Sequence, residues 1–174
     1  DGIDGLIAEV VEASSTEFSA LSHRLYGAPP LGSLVRSGGD SAIYGVVGEV
    51  TTQSVDPGRR PAAMGAQEES VEEVYRNNPQ LERLYSTVFR NVAVGHRADG
   101  RLVRYLPPSP PMIHQHVFRC GPHEVRYFSS SLEFMPALLR APFGSPDDVV
   151  AAFLRQASES HDQPDAYLVD AGRV

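Results

Sequence analysis

The sequence predicts a mainly β fold, a small closed antiparallel β-barrel of six or seven strands with two inserted short helices and a C-terminal helical tail. Three observations lead to this prediction. Short runs rich in β-branched residues follow one another over the first two thirds of the chain. Gly45 and Gly48 interrupt the longest run, as glycines do where a closing sheet bends. The apolar period changes from two residues to a helical period at 68–86 and again after 129.

Four strands are predicted in the first part of the chain, at 5–12, 17–23, 33–36 and 42–53. Polar or glycine-rich turns separate them, and the prolines of 28–32 break regular structure because proline donates no backbone hydrogen bond. Short strands in close succession with turns between them are typical of an antiparallel sheet or barrel.

The middle of the chain predicts a long loop, two helices and then further strands. Segment 54–67 is irregular, and helices are expected at 69–77 and 79–86, with Asn78 as the N-cap of the second. Strands resume at 87–96 and 101–106. Asp99-Gly100 between them is the strongest short hairpin signal in the chain. A proline-rich crossover then leads to a strand at 113–119.

Helices dominate the C-terminal part of the prediction. Apolar residues at 132–139 have helical spacing around Pro136, and Ser145-Pro146 is typical of a helix start. Another helix is expected from 165 onward. We therefore divide the chain into a barrel at 4–128, with its helical insertion at 68–86, and a helical segment at 129–174.

Composition excludes several kinds of chemistry. All 15 basic residues are arginines, so the chain has no P-loop lysine and no Schiff-base lysine. Its one cysteine, Cys120, excludes an internal disulfide and a multi-cysteine zinc site. The net charge of −7 argues against electrostatic binding of nucleic acid by the chain as a whole. No apolar run reaches the length of a membrane span, and we expect no signal peptide and a cytoplasmic location.

Strand and turn patterns along the chain resemble a known family. The first pattern comprises segments 5–11 and 16–18, and the second comprises segments 30–35 and 43–50. The third is the group of prolines at 107–111, which precedes a strand. This looks like the HAS barrel, the small β-barrel at the N-termini of HerA-type DNA-pumping ATPases and of the ATP synthase α and β subunits. The similarity covers roughly residues 4–128, and the chain looks most like stand-alone HAS-barrel proteins of cyanobacteria.

The resemblance implies an oligomerisation collar and no catalytic residue, because the family's ATPase machinery belongs to a separate domain. We therefore expect a non-enzymatic assembly or adaptor protein that self-associates or docks onto a larger complex, with no cofactor. The alternative is an accessory nucleic-acid-processing factor related to the HerA-type ATPases.

One candidate binding patch is cationic. Segment 83–126 is rich in arginine, and guanidinium groups bind phosphates and carboxylates in pairs of hydrogen bonds. The patch consists of Arg90, Arg97, Arg101, Arg104, Arg119 and Arg126. It could contact nucleic acid or an acidic neighbour, including another copy of the chain. It could also be solvated and paired within the molecule.

A metal site is a weaker hypothesis. His114 and His116 would share one face of a strand, with Cys120 and His123 nearby. Zinc needs three or four converging ligands. The favoured interpretation is an exposed or hydrogen-bonded strand face without metal, with Cys120 a small buried residue. The acidic residues of 68–73 are expected to form a solvated helix face or to oppose the arginine patch of a neighbouring copy.

Overall fold

A computed structural model describes residues 5–173. The strands are β1 Leu6–Ala13, β2 Glu17–Ser22, β3 Leu34–Ser37, β4 Ile43–Ser54, β5 Tyr85–Ala98, β6 Arg101–Val103 and β7 His116–Arg119. The helices are α1 Val71–Asn77, α2 Leu81–Leu84, α3 Pro122–Ser129, α4 Met135–Leu139, α5 Pro146–Ser158 and α6 Pro164–Ala171. Residue 4, where the barrel was predicted to begin, and residue 174, the predicted end of the helical segment, lie outside the described residues.

Six strands pair in a closed antiparallel ring, in the order β1, β2, β5, β4, β3, β7 and back to β1. The seventh, β6, pairs with the end of β5. The β2–β5 pairing joins the two ends of what would otherwise be an open sheet. The ring, the inserted helices and the helical tail confirm the predicted fold class.

Alternate side chains of the ring belong to two separate hydrophobic clusters. In β3, Leu34 packs in one cluster and Val35 in the other, as expected from the two faces of a strand. One cluster consists of residues from β1 to β5 and β7, among them Val10, Phe18, Val47, Phe89 and Val117. The other joins the second face of β3, β4 and β5 to helices α3, α4 and α5.

An aromatic series fixes the helical tail on the ring. The ring centroids of Phe128 and Phe134 lie 5.0 Å apart, and those of Phe134 and Phe153 lie 5.1 Å apart. All three side chains are fully buried. Burial of a side chain of this size stabilises the fold by about 2–3 kcal/mol. The tail therefore shares a core with the strands.

The Asp99-Gly100 hairpin is confirmed. Both residues have positive φ, 51° for Asp99 and 74° for Gly100. Positive φ at both central residues is what a two-residue turn between twisted antiparallel strands requires. The turn joins β5 to β6, which ends at Val103 rather than at the predicted residue 106.

The inserted helices are shorter than predicted, and one cap differs. Ser70 caps α1, since the backbone N–H of Glu73 donates to its Oγ at 3.3 Å. Asn78 was predicted to begin the second helix. It instead closes α1, donating its Nδ2 to the Val74 carbonyl at 3.0 Å. Residues 85 and 86 belong to β5 and not to the second helix.

Helix α3 was not predicted. Gly121-Pro122 has the composition of a turn, but Gly121 is the N-cap and Pro122 the first residue of the helix. Proline suits this position because the first turn needs no donor there. The helix continues to Ser129 and therefore spans residue 128, where the barrel was predicted to end.

Candidate interaction surface

Arg90 is held within the fold by two carboxylates and an aromatic ring. Its Nη2 lies 3.0 Å from Glu17 Oε1, and its Nη1 lies 3.2 Å from Glu49 Oε2. The guanidinium carbon lies 4.0 Å from the centroid of the Phe143 ring. These contacts tie β5 to β2, β4 and the loop before α5. They leave Arg90 little capacity for an external anion.

Arg97 belongs to a polar network between the strands and α3. Its Nε donates to the Tyr44 hydroxyl at 3.0 Å, and that hydroxyl donates to Glu124 Oε1 at 2.9 Å. Arg36 completes the network, with Nε 3.2 Å from Glu124 Oε1. Burial raises the pKa of Tyr44 to about 12. The phenol is therefore a neutral hydrogen-bond relay over the whole physiological range.

Cys120 lies beside this network as a buried thiol. It is only 6% exposed, which agrees with the prediction of a small buried residue. Burial, with a smaller effect from the Glu124 carboxylate, raises the pKa of the thiol well above its ordinary value. The thiolate is the reactive form of cysteine. Cys120 therefore has the character of a packing residue.

Arg104 and Arg126 are also engaged. Arg104 donates from Nε to the Phe128 carbonyl at 2.7 Å and from Nη2 to the Tyr127 carbonyl at 2.7 Å, which caps the end of α3. Arg126 makes a two-bond pair with Asp162, at 2.7 and 2.5 Å. This pair joins α3 to the loop before α6.

Arg101 and Arg119 are the remaining members of the predicted patch. Both are exposed, and neither side chain has a hydrogen bond or ion pair within residues 5–173. The structure therefore divides the predicted patch. Four guanidinium groups serve separate internal contacts, and two face solvent.

The two histidines do not share a strand face as predicted. His114 precedes β7 in a left-handed conformation, with φ of 69°, and its imidazole contacts the Glu9 carboxylate. Only His116 is part of β7. His123, on α3, is exposed. In the part of the chain that the structure describes, no three His, Cys, Asp or Glu side chains come close enough to hold a metal ion.

Ser129 and His161 form a polar pair at one end of the tail. Ser129 Oγ lies 2.8 Å from His161 Nε2, and the hydroxyl also donates to the Val125 carbonyl at 2.8 Å. Burial, reinforced by the charge of Arg126, lowers the pKa of His161. Ser129 is only 1% exposed. The pair connects the α5–α6 loop to α3.

Sequence reasoning missed an exposed groove at the end of the β4–β5 ribbon. Its apolar lining consists of Val55, Met64 and Leu84. These residues are 60%, 44% and 43% exposed to solvent, respectively. The Val55 N–H donates to the Leu84 carbonyl at 2.9 Å, which holds these two residues side by side. We call this the ribbon groove. Its volume is about 410 Å³.

Three arginines surround the apolar lining of the ribbon groove. Arg59 and Arg60 come from the long loop after β4, and Arg83 comes from α2. None of the three has an ion-pair partner in the portion of the chain that is described. Exposed apolar surface bordered by polar groups is typical of protein interaction sites. The groove can therefore bind a ligand that is both apolar and acidic.

Tyr26 and Tyr75 fix the position of α1 next to this region. Their hydroxyl oxygens lie 2.7 Å apart, and their rings meet edge to face with centroids 6.1 Å apart. Burial and the neighbouring Tyr26 hydroxyl raise the pKa of Tyr75 to about 12. Tyr75 is therefore neutral at physiological pH, and the pair connects the insertion to the loop after β2.

Comparison with known proteins finds no family model and no curated protein that matches this chain. The resemblance to the HAS barrel therefore stays a prediction. Among the described helices, none combines the length and apolar character that crossing a membrane requires.

Proposed function

We propose that this protein is a non-enzymatic assembly module of the cytoplasm, which self-associates and presents its strand ring as a docking platform. The ribbon groove is the observation that carries the proposal. β2 pairs with β5 only over 88–92, and β3 pairs with β4 only over 43–46, so the ribbon continues beyond both neighbouring strands. An apolar groove at such an end is accessible to a partner.

Charge supports a second copy of this chain as the partner. The groove contributes three arginines, while the start of α1 and the residues before it contribute an acidic group, Glu68, Glu69, Glu72 and Glu73. All four acids are half-buried or exposed. The arginines of one copy can therefore face the glutamates of another, and such complementary patches steer association and fix the relative orientation of the copies. No cofactor is required for this role.

Replacing an apolar lining residue of the groove with a charge tests the proposal. We expect Leu84→Asp to weaken self-association by about tenfold or more, because it introduces a carboxylate into the apolar contact. Light scattering of the purified protein over a range of concentrations measures the effect. Leu139→Asp is the matched control, since Leu139 is similarly exposed, at 51%, but lies on α4.

Equal masses for the two variants and the wild type would argue against the groove as the contact surface. A wild-type protein that stays monomeric at high concentration would contradict self-association altogether.

The nucleic-acid alternative depends on Arg101 and Arg119, the two patch members that face solvent. It predicts binding of DNA or RNA that weakens with salt and is lost when both arginines are replaced by glutamine. Fluorescence anisotropy with a labelled oligonucleotide measures this binding. No binding at low salt removes the alternative.

A further inference from the structure

One edge of the ring is open along the second half of β4. On that side β3 pairs with 43–46 only. The adjacent loop ends the contact, with the Gly32 N–H donating to the Val47 carbonyl at 2.8 Å and the Val47 N–H donating to the Ser33 carbonyl at 3.0 Å. From Glu49 to Ser54, no described residue supplies a backbone partner on this side. Residues 50–53 are all exposed.

The register with β5 shows which backbone groups point to the open edge. Val55 is hydrogen-bonded to Leu84 and continues the pairing of Ser54 with Tyr85. In an antiparallel pair, hydrogen-bonded and non-hydrogen-bonded positions alternate. Thr51 and Gln53 therefore bond to β5. The N–H and C=O groups of the residues between and beside them, Val50, Thr52 and Ser54, point outward.

A side-chain contact agrees with this assignment. Thr52 Oγ1 lies 2.8 Å from Thr87 Oγ1 across the ribbon. Side chains approach each other most closely at the non-hydrogen-bonded positions of an antiparallel pair. Thr52 thus directs its side chain to Thr87, while its backbone groups face away from β5.

Residues 50–54 of the β4 edge carry none of the protection that exposed strands normally have, since the bulge and the charged Glu49 both lie before them. Native proteins protect sheet edges with short strands, charged side chains, proline or bulges. The outer strand β6 has three residues and begins with Arg101, and the end of β1 carries Glu12. Residues 50–53 are instead Val-Thr-Thr-Gln, which is uncharged and rich in strand-forming residues. An edge of this kind is a template for another strand.

We propose that the edge formed by residues 49–54 of β4 pairs in antiparallel orientation with the same edge of a second copy. The two ribbons then form one continuous sheet across a twofold axis. Outward residues must lie opposite outward residues, so Thr52 can face Thr52, Val50 or Ser54 of the second copy. Only the arrangement with Thr52 opposite Thr52 pairs all three outward residues, with Val50 opposite Ser54. Each hydrogen-bonded pair exchanges two backbone hydrogen bonds.

The edge is complementary to itself in the registers that place Thr52 opposite Thr52 or Val50. Its only charged residue is Glu49. Glu49 faces Val55 of the second copy when Thr52 is opposite Thr52, and Gln53 when Thr52 is opposite Val50. Like charges therefore do not meet, and threonine side chains lie near each other at the centre, which favours pairing. A second copy is thus a suitable occupant.

This inference rests on the proposed self-association and specifies its backbone contact. Val55 directly follows the edge and lines the ribbon groove. Strand pairing would fix the geometry of the two copies, while the groove would add apolar contact area next to it.

A proline at an outward position separates edge pairing from other contacts. The Val50 N–H has no backbone partner among residues 5–173, so Val50→Pro removes an intermolecular donor without removing a hydrogen bond seen within that range. We expect the dissociation constant of the dimer to rise by about tenfold or more. Val50→Ala is the matched control, because it shortens the same side chain and keeps the N–H. Light scattering gives the mass, and circular dichroism shows that each variant is folded.

Amide hydrogen exchange on the wild-type protein gives a second readout that needs no variant. In concentrated protein, NMR should show slow exchange for the amides of Val50, Thr52 and Ser54. These three amides should exchange rapidly after dilution. The amides of Thr51 and Gln53 should be slow at both concentrations, since they bond to β5.

The outcomes distinguish this inference from the proposed function. If folded Val50→Pro protein keeps the wild-type mass and the three outward amides exchange rapidly in the concentrated sample, edge pairing is wrong and self-association stands. If the wild type is monomeric at every concentration, both are wrong. Loss of the dimer in Val50→Pro, but not in Val50→Ala, together with the alternating protection, supports the edge.

Discussion

Single arginine side chains in this protein mainly connect one element to another. Arg90 binds Glu17, which lies 73 positions earlier in the chain, and Arg97 reaches Tyr44 across β4 and β5. Sequence alone shows that arginines are concentrated in one segment, but it cannot show which acids or carbonyls approach them. The division of the predicted patch into internal and solvent-facing members therefore required the fold.

The Tyr44 hydroxyl should contribute to stability in a pH-dependent way. Tyr44→Phe removes the relay between Arg97 and Glu124, and we expect a loss of about 1–3 kcal/mol in the free energy of unfolding near neutral pH. The folded-state pKa of about 12 lies above the ordinary value of 10.0. The contribution of the neutral phenol is therefore complete below pH 10 and declines as the pH rises toward 12.

Denaturant unfolding of wild type and Tyr44→Phe from pH 8 to pH 11 measures this contribution. The difference between the two proteins should become smaller above pH 10. A difference that stays constant over this range would contradict the proposed role of the buried phenol.

His161 should destabilise the protein in mild acid. Burial and the charge of Arg126 lower its pKa in the folded state below the ordinary value of 6.5. Neutral His161 therefore contributes to the free energy of unfolding above pH 6.5. This contribution declines as the pH falls toward the lowered pKa, because His161 of the unfolded chain takes up a proton first. His161→Gln does not titrate, so thermal unfolding between pH 5 and 8 should be less pH-dependent in this variant than in the wild type. Parallel profiles would show that His161 is not responsible.

At the scale of elements, local signals predicted some structures well and others not at all. Asp99-Gly100 identifies its hairpin because the turn requires positive φ at two consecutive residues, and few residue pairs tolerate that conformation. Ser145-Pro146 marks the start of α5 in the same local way. Gly121-Pro122 is ambiguous, since the same pair suits a turn or a helix start, and α3 was missed for that reason. His114 adopts its left-handed conformation in a tertiary context that no local pattern shows.

The contact between α5 and the loop before β3 depends on a glycine. Gly32 has φ of +81°, and a Cβ there would lie 2.5 Å from the Phe153 backbone nitrogen. Gly32→Ala should therefore destabilise the protein by several kcal/mol through both strain and overlap. Gly100→Ala is the control, because Gly100 has a similar φ of +74° with nothing near its Cβ position. We expect it to cost about 1–2 kcal/mol. Equal losses of melting temperature would show that α5 does not pack closely at Gly32.

For the whole molecule, composition and pattern were enough to predict the mainly β class with a helical tail, but not the surface that carries the proposal. The ribbon groove depends on Val55 and Leu84 meeting at the end of two long strands, and the open edge depends on where β3 stops. Both features follow from strand lengths and register, which short sequence patterns do not fix. Self-association is the property that unites them.

The solution mass of the wild-type protein, measured by light scattering over a range of concentrations, tests this central claim most directly. The chain has a mass of 18.9 kDa. The account predicts a mass that rises with concentration to at least twice this value. A mass equal to that of the single chain at every concentration would contradict it.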